Sequence, residues 1–389
     1  MSDSTTAATA DDSRVFVGVD VHVRNSYLCV TDAAGQVLKR GRVGNTPVEM
    51  AQFLGPVEAR PMRVVMESTT NTRAVCRMLR EYARQANATM DVQPLNARKL
   101  RIIAESVDKC DKFDAAVLAE LARSNLKLPA CYLPDDETFA LREHLRSRQD
   151  LVTVRTMLKN RVHGVLHRRG VLSPAKLDLF TKLGRQWLAE LKLDEEGRQI
   201  VDRQLQLIDQ LDQVIEESTA SLRSLARRQR WCMQEALLRT MPGVGLITAL
   251  TILAELGDIG RFKSRASVSN YAGLVPMLRD SNETHHSGGI THRGPAALRR
   301  ALVEAAWTSV GRVPQYASIF ARVAGHKGKQ VAIVAVGRRM LEDAWTMLKT
   351  NKVFRLAPAA GNDAGGEQRI DDSADGGQPT SAVEPSDAG

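Results

Sequence analysis

The chain has 389 residues, 43% of them hydrophobic and 25% charged, enough for two or three folding units. No apolar run approaches the roughly 20 residues that span a bilayer, and the opening residues MSDSTTAATADDS lack the basic start and apolar middle of a secretion signal, so a cytoplasmic protein with no membrane partner is expected. The net charge of +9 is uneven: residues 1–13 carry −3 and residues 357–389 carry −6, which leaves +18 on residues 14–356, and a body that basic attracts polyanions, nucleic acid above all.

Residues 1–13 are small and polar and read as disordered. Residues 14–135 are expected to form an α/β domain. Strands are indicated by VFVGVDV, SYLCVTD, QVLKRGRV, MRVVME and MDVQPL, each bounded by Gly, Asn, Asp or Pro. Helices are indicated over 47–54 and 71–85, the second by Val75, Met78, Leu79 and Tyr82 at helical spacing. A third covers 107–127, with Phe113, Ala116, Val117 and Leu121 on one stripe.

Residues 136–230 contain few Gly or Pro and predict long helices forming a coiled-coil arm. Val201, Ile208, Ile215 and Leu222 fall at seven-residue steps, flanked by Leu205 and Leu211. That pattern suits a helical hairpin, a dimerisation arm, or a helix packed on its own domain. Residues 231–356 read as mainly helical, interrupted by a polar, Gly-rich loop over 276–294. From 357 to 389 the chain is acidic, poor in large apolar residues, and expected to be disordered. Five cysteines (Cys29, Cys76, Cys110, Cys131, Cys232) have no paired spacing, so neither a disulfide framework nor a zinc knuckle is indicated.

Asp20 closes the apolar strand VFVGVD and Glu67 closes MRVVME. Charge beside a core persists mainly where it is paired or bound to metal. Asp111 and Asp114, three apart, share one helix face, where like charges repel unless a cation lies between them. Asp108 stands three residues earlier and could be a helix cap. Four carboxylates suit a hard divalent ion such as Mg²⁺, and two such ions can stabilise the attacking and leaving oxygens of a phosphoryl transfer.

The run MPGVGLITALTILAEL, residues 241–256, opens an apolar helix with Gly243 and Gly245. It has the form of a helix-hairpin-helix turn, whose backbone amides face phosphate; a plain tight turn before a core helix has the same sequence signature. Downstream, His285, His286 and His292 lack metal-ligand spacing, whereas Arg293, Arg299 and Arg300 suit a phosphate-handling surface.

With these segments in place the chain resembles the insertion-sequence-110 family of transposases, the DEDD enzymes guided by a bridge RNA. The matching segments are GVDVH with Asp20, MESTT with Glu67, DKCDKFDA with Asp111 and Asp114, then MPGVG, YAGLVP, GITHRG and LRRALVEAAW. The resemblance implies a RuvC-like domain of RNase H type, a helical arm, and a mainly helical C-terminal transposase domain. It implies that donor and target DNA and the bridge RNA are the partners, and that the active assembly is a homodimer or homotetramer with a composite site. The family's nucleophilic serine stands five residues after the proline of GL-x-P, which places Ser281 after Pro276. Asn282 replaces the glycine usual after that serine, so Ser287, which precedes Gly288, is the reserve candidate. Two other readings use the same residues: a metal-only nuclease such as a junction resolvase, with water as nucleophile, and a non-catalytic nucleic-acid-binding protein.

Overall fold

The structure, a computed structural model, describes residues 13–57, 59–96, 111–124, 126–281, 284–291 and 294–356. The sequence-based expectations for both termini, Asp108, Cys110, Asn282, His292 and Arg293 fall outside them. The chain folds as two units divided after Glu137. No helix among the described residues is long and apolar enough to cross a membrane.

In the first unit, β1 (Val15–Val21), β2 (Asn25–Thr31) and β3 (Val37–Gly44) form an antiparallel meander. Beyond β1, β4 (Met62–Glu67) and β5 (Met90–Leu95) add in parallel, giving the order β3-β2-β1-β4-β5. Period-two alternation sends Val15, Val17 and Val19 of β1 to one face, fully buried. That face is covered by α1 (Pro47–Leu54) and α2 (Thr72–Gln85) through Met50, Leu54, Val75, Cys76 and Leu79. Each such side chain withdrawn from water contributes about 1.5–3 kcal/mol.

The opposite face is covered by α3 (Asp111–Arg123), where Leu118, Leu121 and Ala122 pack with Val65 and Leu95. Ala115 and Ala119 pack against Cys29. The buried stripe of α3 therefore differs from the expected one: Ala116 and Val117 are only half-buried. The reason is a close approach. A Cβ on Gly18 would overlap the Ala115 carbonyl oxygen and the Ala119 nitrogen, so the helix backbone sits directly on the strand and its small residues face inward.

In the second unit, α4 (Asp136–His167) and α6 (Glu195–Ala226) are long helices joined through the short α5 (Lys182–Glu190). Their side chains meet in descending order: Arg148 Nε donates to Thr219 Oγ1 at 2.8 Å, Arg155 Nη1 to Asp212 at 2.6 Å, and Arg169 Nη2 to Asp194 at 2.8 Å. The two helices are thus antiparallel. Val201 and Ile208 pack with Leu158, Val162, Leu166 and Leu188. The heptad stripe is covered by the chain itself, so it gives no argument for a partner subunit.

The rest of this unit comprises α7 (Gln229–Arg239), α8 (Leu246–Leu256), α9 (Arg265–Ala272), α10 (Ala296–Val310), α11 (Pro314–Lys327) and α12 (Lys329–Thr350). They enclose a core that includes Leu250, Leu298, Leu302, Tyr316 and Met340, and that Leu141 and Leu222 of the long helices join. The helix α8 is mostly apolar and largely buried, with Thr251 and Glu255 among its buried residues. Residues 276–294, expected as a loop, contain a hairpin of β6 (Pro276–Ser281) and β7 (Thr284–Ile290). Polar strands with few β-branched residues give a weak strand signal, and here the pairing supplies what propensity does not.

Candidate active site

The acids of the first unit are gathered by register. Since β1 and β4 are parallel and pair Val19 with Met66, Asp20 and Glu67 are the next residues along each strand. Alternation puts Asp20 on the face of Gly18 and Glu67 on the face of Val65, which is the α3 side in both cases. Asp114 precedes Ala115, the residue whose carbonyl presses on Gly18. Asp111 begins the same helix one turn earlier; its side chain lies outside the described set. Asp20 and Glu67 at two strand ends and Asp114 on the facing helix thus lie on one side of the sheet, at the carboxyl end of the parallel strands.

Residues that the sequence reading missed hold this edge in place. His22 Nε2 lies 3.1 Å from Asp20 Oδ2, and Asp20 itself is largely buried. The His22 and Val23 carbonyls are clamped twice: Asn45 Nδ2 donates to His22 O at 2.8 Å, and Asn71 Nδ2 donates to Val23 O at 2.9 Å. Ser26 Oγ in turn donates to Asn45 Oδ1 at 2.7 Å. The Glu67 carbonyl accepts from Thr72 Oγ1 at 3.1 Å, which fixes the turn after β4. The signal was present in the sequence as the Asn and Thr residues flanking each acid, but those residue types are common in turns and name no partner.

The donors are carboxylate oxygens, the chemistry a hard divalent ion takes. Among the described residues no group of three or more His, Cys, Asp or Glu converges closely enough to hold one.

In the second unit Ser281 is the last residue of β6 and pairs with Thr284. It closes the hairpin next to residues 282–283. Ser287 lies inside β7, beside Leu278.

Two family models match these regions. One, described as Transposase, is the DEDD model of IS110 elements and covers residues 17–169; the other, described as Transposase IS116/IS110/IS902 family, covers residues 235–321. The chain is a member of the IS110 family of transposases. Among its relatives, the Sinorhizobium fredii protein y4qE is 29% identical over 77% of this chain and 73% of its own length. The 43.6 kDa protein of insertion element IS110 from Streptomyces coelicolor is 24% identical over 90% of this chain and 98% of its own. The transposase for insertion sequence element IS1111A of Coxiella burnetii is 24% identical over 87% and 91%.

Family membership makes this transposase a DNA-cutting and joining enzyme of insertion-sequence mobility, and its DEDD domain points to a divalent metal cofactor. The transposase carries its sequence-expected phosphate contacts in unlike settings. Gly243 has φ +87°, and a Cβ there would lie 2.6 Å from the Ala305 carbonyl and overlap Ser309 Oγ, so it is a packing position against α10. Gly245 has open space around it and caps α8 without a side-chain hydrogen bond, leaving the first amides of that helix available to an anion. Arg299 Nη1 donates to the Ala272 and Gly294 carbonyls at 3.0 and 2.9 Å, and burial pushes its pKa down. It is a strut between α9 and α10. Arg300, its neighbour, is exposed.

Proposed function

We propose that this transposase exchanges DNA strands through a phosphoserine link, with Ser281 as nucleophile and with Asp20, Glu67, Asp111 and Asp114 as the residues that would hold Mg²⁺. The observation that carries the reading is the common face of Asp20, Glu67 and α3, produced by the β1–β4 register and the close seat of α3 on Gly18. The strand order β3-β2-β1-β4-β5 with a helix across it supports an RNase H-like, RuvC-like domain. When bound, divalent metal would neutralise charge on the phosphate oxygens.

The chain's own residues supply the rest. The carboxylates accept the cation, and His22, against Asp20, fixes that carboxylate's orientation. Ser281 Oγ forms an ester bond to phosphorus, loses its proton to a base or to solvent, and displaces one strand, which leaves as a protonated hydroxyl. One phosphoester replaces another, so the hydroxyl of a second strand can displace the serine and rejoin the DNA without ATP. The position of Ser281 at the end of its strand supports this assignment over Ser287, which stands within a paired strand. The exposed Arg300, the amides following Gly245, and Arg293 would receive phosphates of donor and target DNA. Base pairing with a bridge RNA would select the target, and a homodimer or homotetramer would bring two strands together.

The test is a denaturing gel of the full chain incubated with donor DNA and Mg²⁺. Ser281→Ala is expected to lose the covalent protein–DNA band while retaining DNA binding. Persistence of the band in Ser281→Ala with loss in Ser287→Ala moves the nucleophile. Metal-dependent cleavage by the native chain with no covalent band indicates water as nucleophile and ends the serine mechanism.

A further inference from the structure

Within the second unit, α4, α6 and α10 border a cleft of about 940 Å³. Arg161 lines it from α4, Arg168 from the turn directly after α4, and Arg300 from α10. All three are exposed, and among the described residues none makes a side-chain ion pair or hydrogen bond. Most arginines of the two long helices differ: Arg148, Arg155, Arg169 and Arg198 are each engaged across or along the hairpin. Glu304 is the acid that lines the cleft, and it lies in the field of the half-buried Arg148. Gln204 also lines it, with a buried Oε1 that has no hydrogen-bond partner.

We infer that this cleft grips the phosphate backbone of a DNA duplex. Three unpaired guanidinium groups on one concave surface are forked donors suited to phosphate oxygens. Among the described residues no aromatic one lines the cleft, so these residues offer none of the stacking platforms by which proteins hold single strands. What it presents instead is guanidinium groups and the polar side chains of Gln149, Thr153, Thr156 and Asn160 around an apolar floor that includes Val152, Met157 and Ile200. Such charged and polar groups are the contacts that set a duplex in position without reading its sequence. Arg161 and Arg168 are seven residues apart, at and just past the last turns of α4, a spacing that corresponds to roughly 10 Å along a helix axis on nearly the same side. Arg300 then serves this cleft, and the arm is part of the DNA path as well as a spacer. The inference rests on the reading of the chain as a transposase acting on duplex DNA.

The experiment is fluorescence anisotropy of the full chain with a labelled DNA duplex, across salt from about 50 to 200 mM. Each phosphate contact contributes about 0.9 to the slope of log affinity against log salt. The triple variant Arg161→Gln, Arg168→Gln, Arg300→Gln is therefore expected to show a slope shallower by about 2–3 and an affinity lower by on the order of 10²-fold near 0.1 M salt. A second triple variant, Lys182→Gln, Lys192→Gln, Lys327→Gln, removes the same charge at exposed positions that do not line the cleft and is expected to change the slope by much less. Equal effects of the two triples overturn the inference, since diffuse charge would then explain binding. An Arg-to-Lys triple that retains binding, with unchanged thermal melting in all variants, shows that folding is not the cause. Loss of affinity for an RNA duplex of equal length, with DNA affinity unaltered, overturns DNA as the occupant. Failure of the native chain to bind any DNA duplex sinks the transposase reading itself, whereas native binding with an unaffected triple variant sinks only the cleft.

Discussion

Gly18 on β1 and Ala115 on α3 meet without space for a single methyl group, because the Ala115 carbonyl already occupies the position of the absent Cβ. Two residues along the strand stands Asp20, and one residue back along the helix stands Asp114. The spacing between strand and helix, and with it the separation of two acids, is set by hydrogen in place of carbon.

Gly18→Ala is expected to push α3 away from the sheet. Overpacking of this kind costs about 1–3 kcal/mol, and a displacement near 1 Å at a catalytic group lowers rate by about 10²-fold. Denaturant unfolding and metal-dependent DNA cleavage, measured on one preparation, check both. A variant with native stability and native cleavage would show that the contact does not govern the acids.

Asp111→Asn and Asp114→Asn each remove one carboxylate of the proposed metal-holding set while preserving shape. Strand cleavage is expected to fall and the Mg²⁺ concentration for half-maximal activity to rise. Titration of cleavage against Mg²⁺ measures this, and an unchanged titration in both variants would remove the metal-site argument.

The two glycines of PGVG are expected to respond differently. Gly243→Ala combines a φ of +87° with overlap against Ser309 and should lower stability by about 1–3 kcal/mol. Gly245→Ala enters open space at an extended φ and should change stability by less than about 0.5 kcal/mol. Thermal melts separate the two, and equal losses would contradict the packing assigned to Gly243.

Asp194 caps α6, accepting from Gly197 N at 3.2 Å, and pairs with Arg169 at the end of α4. The Arg169 hydrogen bonds hold its carboxyl well below the usual carboxylate range. A depressed folded pKa stabilises the native state above the unfolded pKa of about 3.9, and that contribution disappears as pH falls through the folded value. Asp194→Ala should therefore melt below the native chain at pH 7, with the gap closing in acid below about pH 4. A gap independent of pH would mean that packing, not charge, is lost.

The sequence by itself determined the strands and most helices of the first unit, because period-two runs such as VFVGVDV and helical spacing at Val75, Leu79 and Tyr82 are local properties. It also singled out Asp20 and Glu67 by their places at strand ends and Asp111 and Asp114 by their spacing on one helix turn. Only the tertiary structure decided that Asp20 and Glu67 share a face, since this follows from the parallel register of strands more than forty residues apart. It likewise decided that the Val201 and Ile208 seam closes on α4 of the same chain, that Arg299 braces two helices while Arg300 stays open, and that residues 276–290 pair as a hairpin. Each of these depends on which surface a residue meets, and a linear pattern carries a residue's preference for burial or exposure without the identity of the partner.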